Sequence, residues 1–229
     1  MTEFETFRVD NAELRIPVQG LNARLRGRLL DGGYEHFERD LARAHLRADD
    51  RVLDLGAGAG LVAIIAARIV GAQNVTTVEA NPEMLDVLRD NLDRNAGPGV
   101  TLRAGAVVGA DTDEETVVLN LRQAFWSAST CGPLGKEPRL IEVPALRFSE
   151  LLRESAATAI TMDIEGAEAE ALAQPLPDHV RLVILELHPA IYGERSKNAI
   201  LRNLREQGFR NLESKRTEEV YAFGRTPTE

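Results

Sequence analysis

Residues 54–60 read Asp-Leu-Gly-Ala-Gly-Ala-Gly; an apolar run that begins at Arg51 leads into them, and an apolar stretch at 61–67 follows. This order predicts a strand, a tight loop and a helix. Glycines permit positive φ angles and let a ligand lie against the backbone. The first turn of the helix leaves N–H groups unpaired beside that ligand. The stretch therefore predicts a site for a nucleotide-type cofactor at the end of a β-strand.

The spacing of the glycines narrows the kind of cofactor. A dinucleotide fingerprint, G-x-G-x-x-G, would need its third glycine at position 61, where the chain has Leu61. Asp54 stands two residues before the first glycine, where it could meet a cofactor amine electrostatically. Glu79 ends a β-branched run about 20 residues past the loop, where a ribose-binding carboxylate is expected. Gly105 and Ala106 would close a third strand with small side chains that suit a flat adenine ring.

Further motifs make the pattern more specific. The D-x-G-x-G-x-G loop followed by a strand ending in Glu resembles motifs I and II of class I methyltransferases that use S-adenosylmethionine. Residues 161–168, Thr-Met-Asp-Ile-Glu-Gly-Ala-Glu, resemble the D-x-E-G-x-E signature of the FkbM family of methyltransferases. The stretches 33–35 (Gly-Tyr-Glu), 79–82 (Glu-Ala-Asn-Pro) and 187–189 (Leu-His-Pro) are similar to other landmarks of that family. The resemblance covers about residues 30–190 and is loosest over 107–140.

The resemblance implies a Rossmann-like methyltransferase fold, with S-adenosyl-L-methionine as cofactor and S-adenosyl-L-homocysteine as product. It also implies O-methylation of a small or glycosidic hydroxyl compound, without identifying the acceptor. The expected cofactor-binding residues are Glu35, Asp54, Gly56, Gly58, Gly60, Glu79, Asn81, Ala106 and Asp163. The expected catalytic residues are Asp163, Glu165 and His188. No metal is expected, because carboxylates beside one histidine are a weak indication of a metal site.

The catalytic roles within this set stay open at the level of sequence. The cofactor's methyl group is already activated, so the protein must align the reactants and remove a proton from a hydroxyl. Asp163 ends an apolar strand, and Gly166 would allow a sharp turn that re-aims Glu165. Either Glu165 or His188 could be the general base. Glu168 could contribute to the site or only favour the start of a helix.

Two other classes of function remain as alternatives. An NAD(P)-dependent Rossmann oxidoreductase could use the same loop and Glu79, although Leu61 argues against it. A non-catalytic cofactor-binding protein would bind the cofactor and transfer nothing.

Composition limits the partners. The chain has 229 residues, 44% of them hydrophobic and 28% charged, as expected for one globular domain. Its net charge of -9 disfavours a nucleic-acid acceptor. No apolar run is long enough for a membrane span, and the N-terminus lacks the pattern of a signal peptide. The single Cys131 is expected to be an inert thiol in a reducing cytoplasm.

The order of patterns predicts an α/β fold with a mostly parallel seven-stranded sheet and an antiparallel last strand. An N-terminal extension over 1–48 would contain a hairpin turning at residues 10–11 and a helix near 34–47. The arginine-rich stretch 22–28 is expected to be a half-exposed strand or loop, or less favourably part of the acceptor site. Residues 106–140 would form an insertion, either a lid over the cofactor or a solvated loop.

Overall fold

The computed structural model describes residues 3–19, 21–109, 112–121, 128–129, 139–215 and 219–225. The chain begins with an antiparallel hairpin of β1 (Phe4–Val9) and β2 (Ala12–Pro17). Asp10 and Asn11 form its turn with φ angles of 54° and 61°, as a two-residue hairpin turn requires. The predicted hairpin is confirmed, including the position of its turn. Two helices follow, α1 (Ala23–Leu30) and α2 (His36–His45).

The helix α1 corrects the prediction for the arginine-rich stretch. The Asn22 side chain accepts a hydrogen bond from the Leu25 backbone N–H at 2.9 Å and so caps the helix. Leu25 and Leu29, four residues apart, are buried on one face of the helix. The arginines alternate in sequence as they would on a strand, but the leucine spacing decides the structure.

The first β/α units match the predicted order. Their elements are β3 (Val52–Leu55), α3 (Leu61–Val70), β4 (Val75–Glu79), α4 (Leu85–Asn95) and β5 (Thr101–Ala104), with a short 3-10 helix at Ala72–Asn74. A turn at residues 82–84 precedes α4.

The region between residues 106 and 147 contains β6 (Ala106–Val108), β7 (Thr116–Leu121), β8 (Ala128–Ser129) and β9 (Arg139–Arg147). They form a separate four-stranded sheet in the order β6-β9-β7-β8, in which β7 and β9 are antiparallel. Residues 110–111, 122–127 and 130–138 lie outside the described part of the chain, and with them Cys131 and about half of the predicted lid. The lid remains a prediction.

The last third of the chain returns to the main sheet. It contains α5 (Phe148–Ser155), β10 (Ala159–Met162), α6 (Glu168–Ala171), β11 (Leu182–Glu186), α7 (Pro189–Glu206), β12 (Arg210–Lys215) and β13 (Val220–Gly224). The last helix, α7, is interrupted by a non-helical Gly193 near its start. Gly208, with φ of 84°, follows the end of this helix in the left-handed conformation that is common there.

The central sheet has the order β12-β13-β11-β10-β3-β4-β5. Strands β11, β10, β3, β4 and β5 are mutually parallel, whereas β13 is antiparallel to both β11 and β12. The predicted seven-stranded sheet with an antiparallel last strand is confirmed. The strand order reverses between β3 and β10, so the carboxyl ends of these strands form the crevice in which such sheets bind ligands.

No helix in the described part of the chain is long and apolar enough to cross a membrane.

Candidate functional site

A cavity of about 370 Å³ lies at the carboxyl ends of the parallel strands. The glycine loop (residues 54–60), the start of β6 and the turn after β10 form its floor and flanks, and α1 with the start of α2 covers it. Among the described residues, six with carboxyl groups line it: Glu35, Glu38, Glu79, Asp163, Glu165 and Glu186. The cavity is therefore strongly acidic at the reversal point of the sheet.

Gly56 is required by the close approach of the turn after β10. Its φ is +85°, and a Cβ there would lie 1.7 Å from the Asp163 backbone oxygen. The Gly56 and Ala57 N–H groups both donate to the Val78 backbone oxygen at 3.0 Å, which ties the loop to β4. Gly60 also meets a packing requirement: a Cβ there would lie 2.6 Å from Leu88 Cδ1, so this glycine allows α3 to pack on α4. Gly60 does not line the cavity.

Glu79 closes the glycine loop from the end of β4. Its Oε2 accepts the Gly58 N–H at 2.8 Å and its Oε1 accepts the Asn81 N–H at 2.7 Å. Burial raises the pKa of Glu79 to about 7, although these two hydrogen bonds oppose the shift. Asn81 lies at this corner, but its own Oδ1 accepts the Glu83 N–H at 3.0 Å. Glu79 and Gly58 line the cavity, whereas Asn81 shapes the turn behind it.

Asp54 lies beneath the cavity, at its junction with the strands. Its Oδ1 accepts the Thr161 hydroxyl at 2.6 Å and its Oδ2 accepts the Thr77 hydroxyl at 2.7 Å. The two threonines are its register partners on β10 and β4. Burial raises the pKa of Asp54, and the threonine hydroxyls counteract the rise. Asp54 therefore bonds three strands together, and its predicted influence on a cofactor amine would act through space.

One flank of the cavity is apolar. Ala106, Val107 and Leu119 line it, all buried, from β6 and β7. Gly105 precedes them with φ of +149°, and its N–H donates to the Glu79 backbone oxygen at 2.9 Å. An aromatic ring system such as adenine can lie against this flank, next to the Glu79 carboxylate.

A carboxylate–histidine cluster lies at the ends of β10 and β11: Asp163, Glu165, Glu168, Glu186 and His188. The His188 Nδ1 is 2.9 Å from Glu168 Oε1. Its Nε2 is 3.6 Å from Asp163 Oδ1, 3.9 Å from Glu165 Oε2 and 3.8 Å from Glu186 Oε1. One imidazole thus stands among four carboxyl groups.

Local backbone geometry brings these side chains together. Glu165 adopts a left-handed conformation (φ 48°) and Gly166 has φ of 113°, which produces the sharp turn expected after β10. Glu168 is fully buried, and it accepts the Gly166 N–H as well as facing His188. The backbone N–H of His188 donates a hydrogen bond to the Tyr192 hydroxyl at 2.7 Å. The imidazole is thereby held from both its ring and its backbone.

The cluster retains protons at neutral pH. Loss of solvent raises the pKa of Asp163 to about 8, opposed by His188 and reinforced by Glu165. Loss of solvent and the nearby Asp163 raise the pKa of Glu186 to about 9. Burial alone would lower the pKa of His188, but the hydrogen bond to Glu168 and the charge of Asp163 outweigh it and raise the pKa to about 10. His188 therefore carries a positive charge near neutrality.

Glu35 approaches the cavity from the start of α2. It is a non-glycine residue with a left-handed φ of 48°, and burial raises its pKa well above the usual range. Its Oε2 is buried without a hydrogen-bond partner in the described part of the chain. Strain and an unsatisfied acceptor at the wall of a cavity are features of a ligand-binding position.

The structure thus brings most of the expected residues to one place. Those lining the cavity are Glu35, Gly56, Gly58, Glu79, Ala106, Asp163 and Glu165. His188 lies in the adjoining cluster, Asp54 beneath the floor, and Gly60 and Asn81 behind the loop. The expected set omitted Glu186 and Thr161, and the sequence left the role of Glu168 open. Glu186 ends an apolar strand beside His188, which is a signal that the sequence does contain.

Asp163, Glu186 and His188 could together hold a cation. One ligand atom from each lies within 4.8 Å of the others. A carboxylate pair with an imidazole suits several divalent ions. The expectation that no metal is needed remains a prediction.

Comparison with known proteins identifies the family. The sequence model of the methyltransferase FkbM domain matches residues 54–211. An arsenite methyltransferase of Halobacterium salinarum is 27% identical over 173 residues, which are 75% of this chain and 40% of that protein. A ribosomal protein L11 methyltransferase of Thermotoga neapolitana is 29% identical over 79 residues, 34% of this chain and 30% of that protein. The aligned segments thus span less than half of these relatives.

The fold has matches among solved structures. The precorrin-6y C5,15-methyltransferase of Geobacter metallireducens superimposes with a TM-score of 0.50 at 15% identity, over 98% of this chain and 100% of that chain. At this identity the likeness concerns the fold alone. Because the domain match covers more than half of the chain and includes the glycine loop, Glu79 and the carboxylate–histidine cluster, the chain belongs to the FkbM methyltransferase family, whose cofactor is S-adenosylmethionine.

Proposed function

We propose that this protein transfers the methyl group of S-adenosylmethionine to a hydroxyl group of a small or glycosidic acceptor. The observation that carries the proposal is the carboxylate–histidine cluster beside the cofactor loop. Glu165, our candidate base, lines the cavity, and Nε2 of His188 lies 3.9 Å from its Oε2. The cofactor supplies an activated methyl group, and the remaining tasks fall to the side chains of this chain.

Binding and alignment of the cofactor would depend on the glycine loop, Glu79 and the apolar flank of the cavity. Glu79 can accept hydrogen bonds from the ribose hydroxyls while Gly58 and Asn81 hold its carboxylate in place. Ala106 and Val107 provide the apolar surface for adenine. The cofactor is positively charged overall, so its charge favours the ionised forms of Glu79, Asp163 and Glu186, whose pKa values are raised by burial. The buried Oε2 of Glu35 is one acceptor that a cofactor amine would satisfy.

Removal of the hydroxyl proton would depend on the carboxylate–histidine cluster. A hydroxyl is a weak nucleophile until a base takes its proton. His188 already holds a proton near neutral pH, because its pKa is raised to about 10, and it cannot take another. This favours Glu165 as the base. His188 Nε2, 3.9 Å from Glu165 Oε2, would orient the Glu165 carboxylate toward the acceptor.

The charge of the molecule favours a small acceptor over a nucleic acid. Both the net charge of -9 and the acidic cavity repel phosphate groups. The names of the relatives include a protein substrate and arsenite, so the family match by itself does not select the acceptor.

The test is transfer of a labelled methyl group from S-adenosylmethionine to a library of hydroxylated metabolites and glycosides. We expect a labelled product whose new methyl carbon has the NMR shift of a methyl ether, with an equal amount of S-adenosylhomocysteine. A methyl group found on nitrogen, sulfur or carbon would contradict O-methylation. Cofactor binding without transfer to any member of the library would favour the non-catalytic alternative.

A further inference from the structure

Among the described residues that line the cavity, the only arginines are on helix α1. Arg24 and Arg28 line it from α1, one helical turn apart. The six other charged side chains that line the cavity are all acidic. The wall therefore has one basic region, and it lies on the N-terminal helix.

Arg28 is held in a fixed position. Its Nε and Nη2 donate to the Gly33 backbone oxygen at 3.0 and 2.8 Å. Among the described residues, neither Arg28 nor Arg24 forms an ion pair with a carboxylate, although six carboxyl groups share the cavity with them. Their charges are thus available to a ligand. A guanidinium that is already oriented loses less entropy when it binds a carboxylate.

The packing of α1 explains which arginines face the cavity. Leu25 and Leu29 anchor the helix in the core, and Asn22 caps its start. Arg26 points elsewhere, because its guanidinium pairs with Glu5 on the N-terminal hairpin. Arg26 therefore provides a matched control on the same helix.

The charges of the cofactor are complementary to this arrangement. Its sulfonium and ammonium groups are positive, its adenosine is neutral, and its carboxylate is the only anionic group. Among the described residues of the wall, Arg24 and Arg28 are the basic side chains that can attract this carboxylate. The ammonium is attached to the same carbon, so its acceptor must lie close by. Glu35, whose Oε2 is buried without a partner, follows Gly33 by two residues.

We propose that Arg28, with Arg24, binds the carboxylate of the methionine portion of the cofactor, while Glu35 accepts hydrogen bonds from its ammonium group. This inference rests on cofactor binding as set out in the proposed function. It makes α1 a recognition element for the amino-acid end of the ligand.

The test compares two ligands that differ only in the carboxylate. S-adenosylhomocysteine has it, and S-adenosyl-3-thiopropylamine lacks it while keeping the amine. By calorimetry, we expect wild-type protein to bind S-adenosylhomocysteine about 10- to 100-fold more tightly, the range for hydrogen bonds to a charged group. Arg28→Gln should remove most of this preference by weakening only S-adenosylhomocysteine. The amide of Gln can still donate to the Gly33 oxygen, which preserves the local fold.

Two further variants complete the test. Arg24→Gln, at an exposed position that bears little on folding, should reduce the same preference by a smaller factor of about 3 to 10. Arg26→Gln should leave both affinities unchanged. The inference is overturned if wild-type protein binds the two ligands equally, or if Arg28→Gln and Arg24→Gln leave their ratio unchanged. Failure to find a hydroxyl acceptor would contradict O-methylation but leave this ratio, and the inference, intact.

Discussion

The glycine loop with Glu79 and the carboxylate–histidine cluster lie in the same cavity but are built differently. The loop and Glu79 come from one β/α/β unit, and backbone N–H groups satisfy both carboxylate oxygens of Glu79. The cluster combines residues from two strand ends, and its carboxyl groups face one another and a single imidazole. The first region is suited to hold a ligand in one place. The second region contains several ionisable groups close together, which suits it to proton transfer.

The largest expected effect comes from breaking the contact between the two regions. Gly56→Ala places a Cβ against the Asp163 backbone oxygen, at a φ that alanine rarely adopts. Because backbone atoms must move, we expect a loss of about 4 kcal/mol in the free energy of unfolding, at the upper end for single substitutions. Denaturant unfolding measures it.

The control for this substitution is Gly27→Ala in α1, where a Cβ meets nothing within 4 Å. It should be neutral or stabilise the protein by up to about 1 kcal/mol, from helix propensity. Equal unfolding midpoints for Gly56→Ala and wild type would show that the loop and the turn after β10 do not pack as described.

Two substitutions on β4 should distinguish loss of cofactor affinity from loss of stability in the region of the glycine loop and Glu79, with smaller effects than Gly56→Ala. Glu79→Ala removes the proposed ribose acceptor, and we expect S-adenosylhomocysteine affinity to fall by about 1.5–3 kcal/mol. Thr77→Val, on the same strand, removes the hydroxyl that bonds Asp54 beneath the cavity. It should lower stability by about 1 kcal/mol and leave affinity unchanged. Unchanged calorimetric affinity in Glu79→Ala would remove this residue from the site.

The second region should respond to pH. Asp163, Glu186 and His188 have folded-state pKa values raised to about 8, 9 and 10. In the window between pH 6.5 and 8 the folded protein therefore binds more protons than the unfolded chain, and its stability must fall as pH rises. Each extra proton contributes at most about 1.4 kcal/mol per pH unit, reduced by solvent screening at the partly exposed Asp163.

Asp163→Asn should make this decline shallower, since one of the extra protons is lost, whereas the exposed Glu170→Gln should not. Urea unfolding at several pH values gives the slopes. A wild-type stability that rises over this window would be incompatible with protons retained by the cluster.

Much of the fold follows from the sequence because its signals are local. The glycine loop, the turn at Asp10 and Asn11 and the alternation of strands and helices all depend on short runs of residues. The prediction of a strand or loop for the arginine-rich stretch was wrong. Its alternating arginines are typical of a strand, but two buried leucines four residues apart have the spacing of a helix, α1. Gly60 stays a predicted cofactor residue, but the tight packing beside Leu88 that also requires a glycine there depends on the approach of α4, which the sequence does not show.

The site was less accessible to sequence reasoning where it depends on register. Thr77 and Thr161 look like ordinary strand residues until pairing places both beside Asp54. Glu168 shares a signature with Asp163 and Glu165, yet its role as the partner of the His188 ring depends on the turn that buries it. The spacing of residues along the chain cannot show which carboxylate faces which nitrogen.

The most direct test of the account is a comparison of Glu165→Gln with the exposed Glu170→Gln, measuring both S-adenosylhomocysteine affinity and turnover on the acceptor found by screening. We expect Glu165→Gln to keep wild-type affinity and to lower turnover by about 10²–10⁴-fold, the range for loss of a general base, while Glu170→Gln changes neither. Wild-type turnover in Glu165→Gln would contradict the assignment of this residue as the base that removes the hydroxyl proton.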